Sequence, residues 1–510
     1  MGGDGNASGG NSPIPAQAGE AGAGGDSAEL GSGGASGASG AGGDGHDGGA
    51  AGGPEEVAGA AGQGDAGAGN VPECSLEGHP KDEPCLVADD YAVFVAPSGD
   101  DTATGSRAAP LASVAAAVER ALDENKIVIV CAKTFSTPLT LGDVQGAQHV
   151  SIYGGFDCDD EWKRVETRSV FAPGSGPALR LESIEGSLLL SGFEFHAADA
   201  TESGQSSIAA VVKDVENVTF EAVRFVAGDG MDGAPGESIP PFEKSAYAGF
   251  DADETVGGSL RNACSCPGTA GGRGGDATAP GAEGATEGLP SLGGGAAGLA
   301  NASCSGPGTG GDGANGSPGS PGASADSYGA LDAENAAWQP ASGQPGGPGT
   351  VGQGGGGGRG GATGGGGGGA CGGCGGQGGG PGQGGGASIG LLVVRSKVLF
   401  EASIIDLGDG GNGGKGAPGQ EGQKGGVRGA RANDGCDGGD GGKGGAGGPG
   451  GGGAGGIVVG VAKFESTVDG MPVFNLGKPG EGGEHGDPSE EPGTPGMANP
   501  QYDFSEALDP

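Results

Sequence analysis

Between residues 343 and 387 glycine recurs at every third position. Starting at Gly343, the frame Gly346, Gly349, Gly352 and onward to Gly385 is broken only at Ala370. It holds 14 glycines in 15 places, while the other two frames together hold 15 in 30. A period of three suits a polyproline-II-type helix, with three residues per turn, about 3.1 Å rise per residue and no internal hydrogen bonds. Its amides must therefore bond to neighbouring segments or to water. The period returns from Gly410 to Gly425 and, after a one-residue shift, holds at all eight frame positions from Gly435 to Gly456.

Three conformations compete for these tracts. A collagen triple helix needs long uninterrupted frames and much imino acid, whereas here GGG triplets are common and proline is sparse, apart from four collagen-like triplets from Gly313 (GAN, GSP, GSP, GAS). A flexible linker is the plainest reading, since ordering glycine costs the most backbone entropy. In the third, parallel and antiparallel segments pack as a bundle of polyglycine-II-type helices, glycine allows close approach, and backbone groups bond between segments. The third is favoured, because two flexible linkers would have no reason to keep a frame.

Glycine makes up 131 of 510 residues and aromatics 4%, so one ordinary core of this length is excluded. The net charge of −41 argues against nucleic acid as a partner, which would require clustered Lys and Arg, and leaves room for cations. No apolar run is long enough to span a membrane. The ten cysteines, an even number, suggest disulfides and an oxidising compartment. The opening MGGDGNASGG has neither a basic start nor an apolar segment. An export signal upstream of this start, or a leader already removed, is therefore expected.

In chain order, residues 1–70 read as an acidic Gly/Ala/Ser linker, a tether for the folded part. Residues 71–90 read as a segment stapled by Cys74 and Cys85. The folded part opens with the strand Tyr91 to Ala96. A helix follows in LASVAAAVERALDEN, with Leu111, Val114, Val118 and Leu122 at helical spacing and Pro110 near its first position. Short strands broken by Gly, Asn, Asp and Pro continue to residue 227. SIAAVVKDVENVTFEAVRFVAGDG from Ser207, SIGLLVVRSKVLFEASIIDLGDG from Ser388 and GIVVGVAKFESTVDGMPVFNLGKPG from Gly456 are alike. Each reads as one coil of a solenoid, with coils at 388–408 and 456–477. The glycine-rich insertions 228–387 and 409–455 would leave adjacent coils at one corner, and 478–510 reads as an acidic Pro/Gly tail.

The order YAVFVAPSGDD, PLASVAAAVERAL, IVIVCAKTF and SIYGGFDCDDEWKR resembles the start of right-handed parallel β-helix proteins of the pectin-lyase-like superfold. It is most similar to exported, glycine-rich β-helix proteins of myxobacterial type. The resemblance covers about residues 91–228 and the two later coils, and implies an all-β right-handed parallel β-helix. It also implies that the helix caps the open end and that Cys131 and Cys158, beside the matching strands, are paired.

Within the glycine module, three residues at about 3.1 Å each put Cys371 and Cys374 roughly 9 Å apart, beyond disulfide reach. Each must bond elsewhere, with Cys264, Cys266, Cys304 and Cys436 available to complete three cross-links. Zinc on the CGGC and CSC cysteines is disfavoured by the CxC spacing and the exported context. The acidic turns GDGMDG from Gly228 and GDGGNGG from Gly408 are candidate calcium loops, but lack the established calcium spacings. No other cofactor is implied.

No catalytic constellation emerges. Asp157, Asp159, Asp160 and Arg164 lie close in sequence but read as turn and surface residues beside Trp162; His149 and His196 read as structural strand residues. The expected function is an exported cell-surface or matrix scaffold with an adhesive role, without catalysis. Its expected partners are envelope or extracellular polysaccharides or other surface proteins. The rival is a polysaccharide lyase or glycosidase on the same fold, and a further alternative is a calcium- or glycan-binding surface protein.

Overall fold

The computed structural model describes residues 74–144, 149–260, 263–281 and 294–505. The expected linker at 1–70 lies outside the described residues. The chain forms a parallel β-helix, wound from strands that fall on three faces.

The first face carries Leu139–Val144, the leading half of Leu179–Ser191, the leading half of Ser207–Glu221, then Ser388–Val394, Val458–Phe464 and Ala498–Asp503. The second carries Ala92–Val95, Ile127–Cys131, His149–Asp157, the trailing halves of the two long strands, Lys397–Glu401 and Thr467–Asp469. The third runs from Thr134–Phe135 through Ser169–Phe171, Phe193–His196, Arg224–Ala227 and Ile404–Leu407 to Val473–Asn475. Ser207 pairs with Ser388 and Ser388 with Val458, so the three similar stretches are successive coils in register.

Alternation along each strand sends every second side chain inward. Phe135, Phe171, Phe195, Phe225, Ile405 and Phe474 share one inward register row on six successive strands. The first four stack with centroids 4.6–5.8 Å apart. Each coil buries its apolar side mainly against its neighbours, as a solenoid must. At a corner of the coil, Ser396 accepts from the amide of Val215 at 2.9 Å and Ser466 from that of Ser396 at 3.0 Å. These hydroxyls satisfy amides that the ladder leaves over at the bend.

The helix spans Val114–Glu124, with Ser113 accepting from the Ala116 amide as N-cap. It begins later than its sequence suggests: Leu111 is not helical but bridges Val95, and Pro110 precedes the cap. Val114, Ala117, Val118 and Ala121 join the interior cluster beside Val93 and Val95.

The glycine tracts are ordered. The amides of Gly343, Gly346, Gly349, Gly352, Gly355 and Gly358 donate to the carbonyls of Gly382, Gly379, Gly376, Gly373, Ala370 and Gly367 at 2.8–3.0 Å, an antiparallel pairing with one bond per three residues. A parallel pairing runs from Gly373, Gly376, Gly379 and Gly382 to Gly442, Gly445, Gly448 and Gly451. The second tract folds back on itself from Gly441→Gly426 to Gly456→Gly411. One bond per turn, directed to several neighbours in rotation, is the pattern of packed three-residue helices.

Three features depart from the sequence reading. The stretch with the collagen-like triplets from Gly313, which reads as irregular, is another ordered segment of the bundle, with Gly313, Gly316, Gly319 and Gly322 donating to the tract after Cys436. The stretch before Pro340 contains an antiparallel hairpin, Gly329–Asp332 with Ala337–Pro340. The segment read as a tail supplies two more bundle segments and the strand Ala498–Asp503, which pairs with Val458–Phe464.

Candidate functional site

The insertions leave the third face at Gly228, Gly408 and Gly477 and re-enter the first face at Ser388, Val458 and Ala498. The bundle therefore springs from one corner of the coil. Its hairpin reaches back over the first face, where Trp338 and Ala336 pack with the outward-facing Val211, Ile389, Leu392 and Val459, and with Phe504. Lys213 Nζ donates to the carbonyl of Glu334 at 2.6 Å.

The N-terminal part of the second face is covered as well. Leu76, Leu86 and Val87, from the segment closed by Cys74–Cys85, cluster with Phe94, Ile129, Tyr153 and Trp162. His79 sets its ring edge-on to Tyr153, 4.8 Å between centroids, and places Nε2 3.4 Å from Glu221. Burial lowers the His79 pKa, an effect Glu221 opposes, and burial raises that of the Tyr153 hydroxyl. At the edge of this cover, where His79 reaches it, Glu221 is the register partner of Glu401 on the neighbouring strand, with Lys397 four residues before Glu401 and Asp469 in register with Leu399.

On the third face, Arg224 is held between Asp406 at 2.6 Å and Glu194 at 3.3 Å. Hydrogen bonding to Asp406 raises its pKa further, so it is a permanently charged brace rather than a base. His196 ends the strand Phe193–His196 and is exposed. His149 opens its own strand and bonds Ser187 at 2.7 Å and Ser151 at 2.9 Å. Asp157, Asp159 and Asp160 lie at the turn after His149–Asp157, where Lys133 and Lys163 pair with Asp159 and Asp160. Arg164 sits over the Phe156 ring at 5.8 Å, and Trp162 is buried beside Phe94.

The acidic turns considered as calcium loops also hold the bundle in register. Asp229 accepts from the amide of Asp409 at 2.7 Å, and Asp409 from that of Lys478 at 2.7 Å. One register step on, Asp232 accepts from Asn412 at 2.6 Å and Asn412 from Glu481 at 2.9 Å. Asp312 and Asn315 do the same for the amides of Asp440 and Lys443. At a turn in the bundle, amides of Thr363 and Ala362 hold the Asp434 pKa down to about 2. The signal in the sequence was Asp or Asn beside the frame glycine, and its role becomes visible only once the parallel neighbour is known.

All ten cysteines are paired: Cys74–Cys85, Cys131–Cys158, Cys264–Cys371, Cys266–Cys374 and Cys304–Cys436. Cys371 and Cys374 each bond elsewhere, as three-residue geometry requires. Among the described residues no helix is long and apolar enough to cross a membrane.

No family model matches this chain, and no curated protein matches it. Among solved structures it is similar to a GH136 lacto-N-biosidase from Eubacterium ramulus, at 14% identity over 29% of this chain and 28% of that one, with a TM-score of 0.19. It is also similar to a rhamnogalacturonan lyase, at 18% identity over 27% of this chain and 36% of that one, with a TM-score of 0.18. The chain thus spans about a third of each. Likeness of this extent says nothing of activity.

Proposed function

We propose that the chain is a non-catalytic scaffold of the cell surface or extracellular matrix, in which a disulfide-bonded solenoid carries a stiff ridge of glycine helices as its binding surface. The observation that carries this reading is the continuous backbone pairing of the tracts, which turns low-complexity sequence into an ordered module. Five disulfides fit an oxidising compartment. The hairpin and the N-terminal segment occupy outer surface along which a long substrate would otherwise lie. The test incubates the protein with envelope and plant-type polysaccharides and measures both retention and release of new chain ends. Retention without release is expected; sustained release would overturn the scaffold reading.

A second reading, an enzyme acting on carbohydrate, rests on the register pairing of Glu221 with Glu401. Two carboxylates flanking a bond are what glycoside hydrolysis requires. E221Q and E401Q decide it: chain-end release abolished by either substitution would assign catalysis to this strip.

A further inference from the structure

The distal part of the ridge carries a surface unlike the rest of this acidic chain. Residues 241–252 and 421–430 run parallel, with the amides of Ala246, Gly249 and Ala252 donating to the carbonyls of Lys424, Val427 and Ala430 at 2.8–2.9 Å. That register fixes which side chains share a face, because every third residue returns to the same side. Lys244, Tyr247 and Phe250 form one such row, and Glu421, Lys424 and Val427 form its neighbour. Tyr247 is 54%, Phe250 40% and Val427 67% exposed, in a chain where aromatic residues are rare.

At one end of this strip lies a cavity of about 340 Å³ whose charged lining is Glu243, Lys244, Glu421, Lys424 and Lys443. Lys443 pairs with Glu421 at 2.8 Å. Among the described residues Lys244 and Lys424 have no carboxylate partner, although the chain has 65 acidic residues to 24 basic ones. Three ammonium groups against two carboxylates, Glu243 and Glu421, leave a local positive excess on this cavity, which favours an anionic ligand. Exposed aromatic and apolar side chains beside them favour a ligand with flat, partly apolar faces, as sugar rings have. One turn of about 9 Å from row position to row position is close to the length of a disaccharide unit.

We propose that this strip binds an acidic polysaccharide, with Lys244 and Lys424 receiving its anionic groups at the cavity and Tyr247, Phe250 and Val427 lying against its sugar rings. The inference deepens the scaffold reading and rests on it. The anion is a carboxylate or a sulfate ester, and the two are separated by the choice of polymer.

The experiment measures binding of the full chain to immobilised polygalacturonate, dextran sulfate and neutral dextran at low and high salt. Binding to one or both charged polymers, but not to dextran, is expected, and it should weaken with salt. K244E/K424E should bind about tenfold or more weakly, whereas K415E/K478E, with the same change in net charge elsewhere on the ridge, should lose much less. Y247A/F250A should lose severalfold without changing the salt dependence. Equal binding by wild type and K244E/K424E, or equal binding of dextran, would overturn the proposal. Retention on whole envelopes that survives K244E/K424E would overturn it while sparing the scaffold reading. Release of chain ends from polygalacturonate would instead overturn the scaffold reading itself.

Discussion

The amide of Gly376 donates to the carbonyl of Gly445 across 2.8 Å, while the carbonyl of Gly376 accepts from Gly349 across 2.8 Å. A single glycine thus joins three segments, and a Cβ added to it would overlap the carbonyl oxygen of Gln420. G376A should therefore destabilise the bundle by about 1–3 kcal/mol, the usual cost of overpacking. G174A, where an added Cβ meets nothing within 4 Å, is the control and should be neutral or slightly stabilising. Denaturant unfolding of both variants checks this, and equal losses would mean that close approach is not what selects glycine.

Trp338 fastens the hairpin to the solenoid. It is 7% exposed and packs at a tilt against Phe504, with ring centroids 5.1 Å apart. W338A should cost about 3–5 kcal/mol locally. Amide exchange should accelerate at 329–340 while the inner strand Ser388–Val394 stays protected. Unchanged exchange in the hairpin would show that glycine pairing alone holds it.

His79 makes the N-terminal cover sensitive to acid. Its Nδ1 accepts from the Lys81 amide at 2.9 Å, and burial lowers its pKa below the ordinary histidine value of 6.5. The folded state therefore binds this proton less readily than the unfolded chain. The contribution is fully present above pH 6.5 and diminishes as pH falls below it. Corrected for the fall of the intrinsic exchange rate with pH, the protection of amides at 76–87 should decrease between pH 7 and pH 5 in the wild type and stay constant in H79Q; protection as constant in the wild type as in H79Q refutes the coupling.

Ala402 and Ala222 occupy left-handed backbone conformations, φ 48° and 53°, at the corner where the coil above has Gly192. A side chain there costs about 1–2 kcal/mol, of which roughly half is offset by the greater freedom of unfolded glycine. A402G should raise the thermal midpoint by about one degree. A lower midpoint would mean that packing, not backbone strain, governs the corner.

Much of this architecture was legible from residue spacing. The likeness of the stretches from Ser207 and from Ser388 placed two strands in the register they occupy, because successive coils of a solenoid repeat the same inward positions. Every third glycine named the helix type, and the reach of a disulfide kept Cys371 from Cys374. The hairpin at 329–340 was hidden in composition that resembles loop, since its apolar partners Ile389, Leu392 and Phe504 lie far along the chain. The strand Ala498–Asp503 was hidden likewise, being short and polar and needing the edge of Val458–Phe464 to form. The candidate strip at Lys244, Tyr247 and Lys424 could not be read because neither row means anything until the other lies beside it.

By itself, then, the sequence determined the local periods: two for the coil, three for the ridge. Only the tertiary structure decided which segment lies against which, and in which direction. A three-residue helix makes no bonds to itself, so its partners are chosen by packing between positions as many as 180 residues apart.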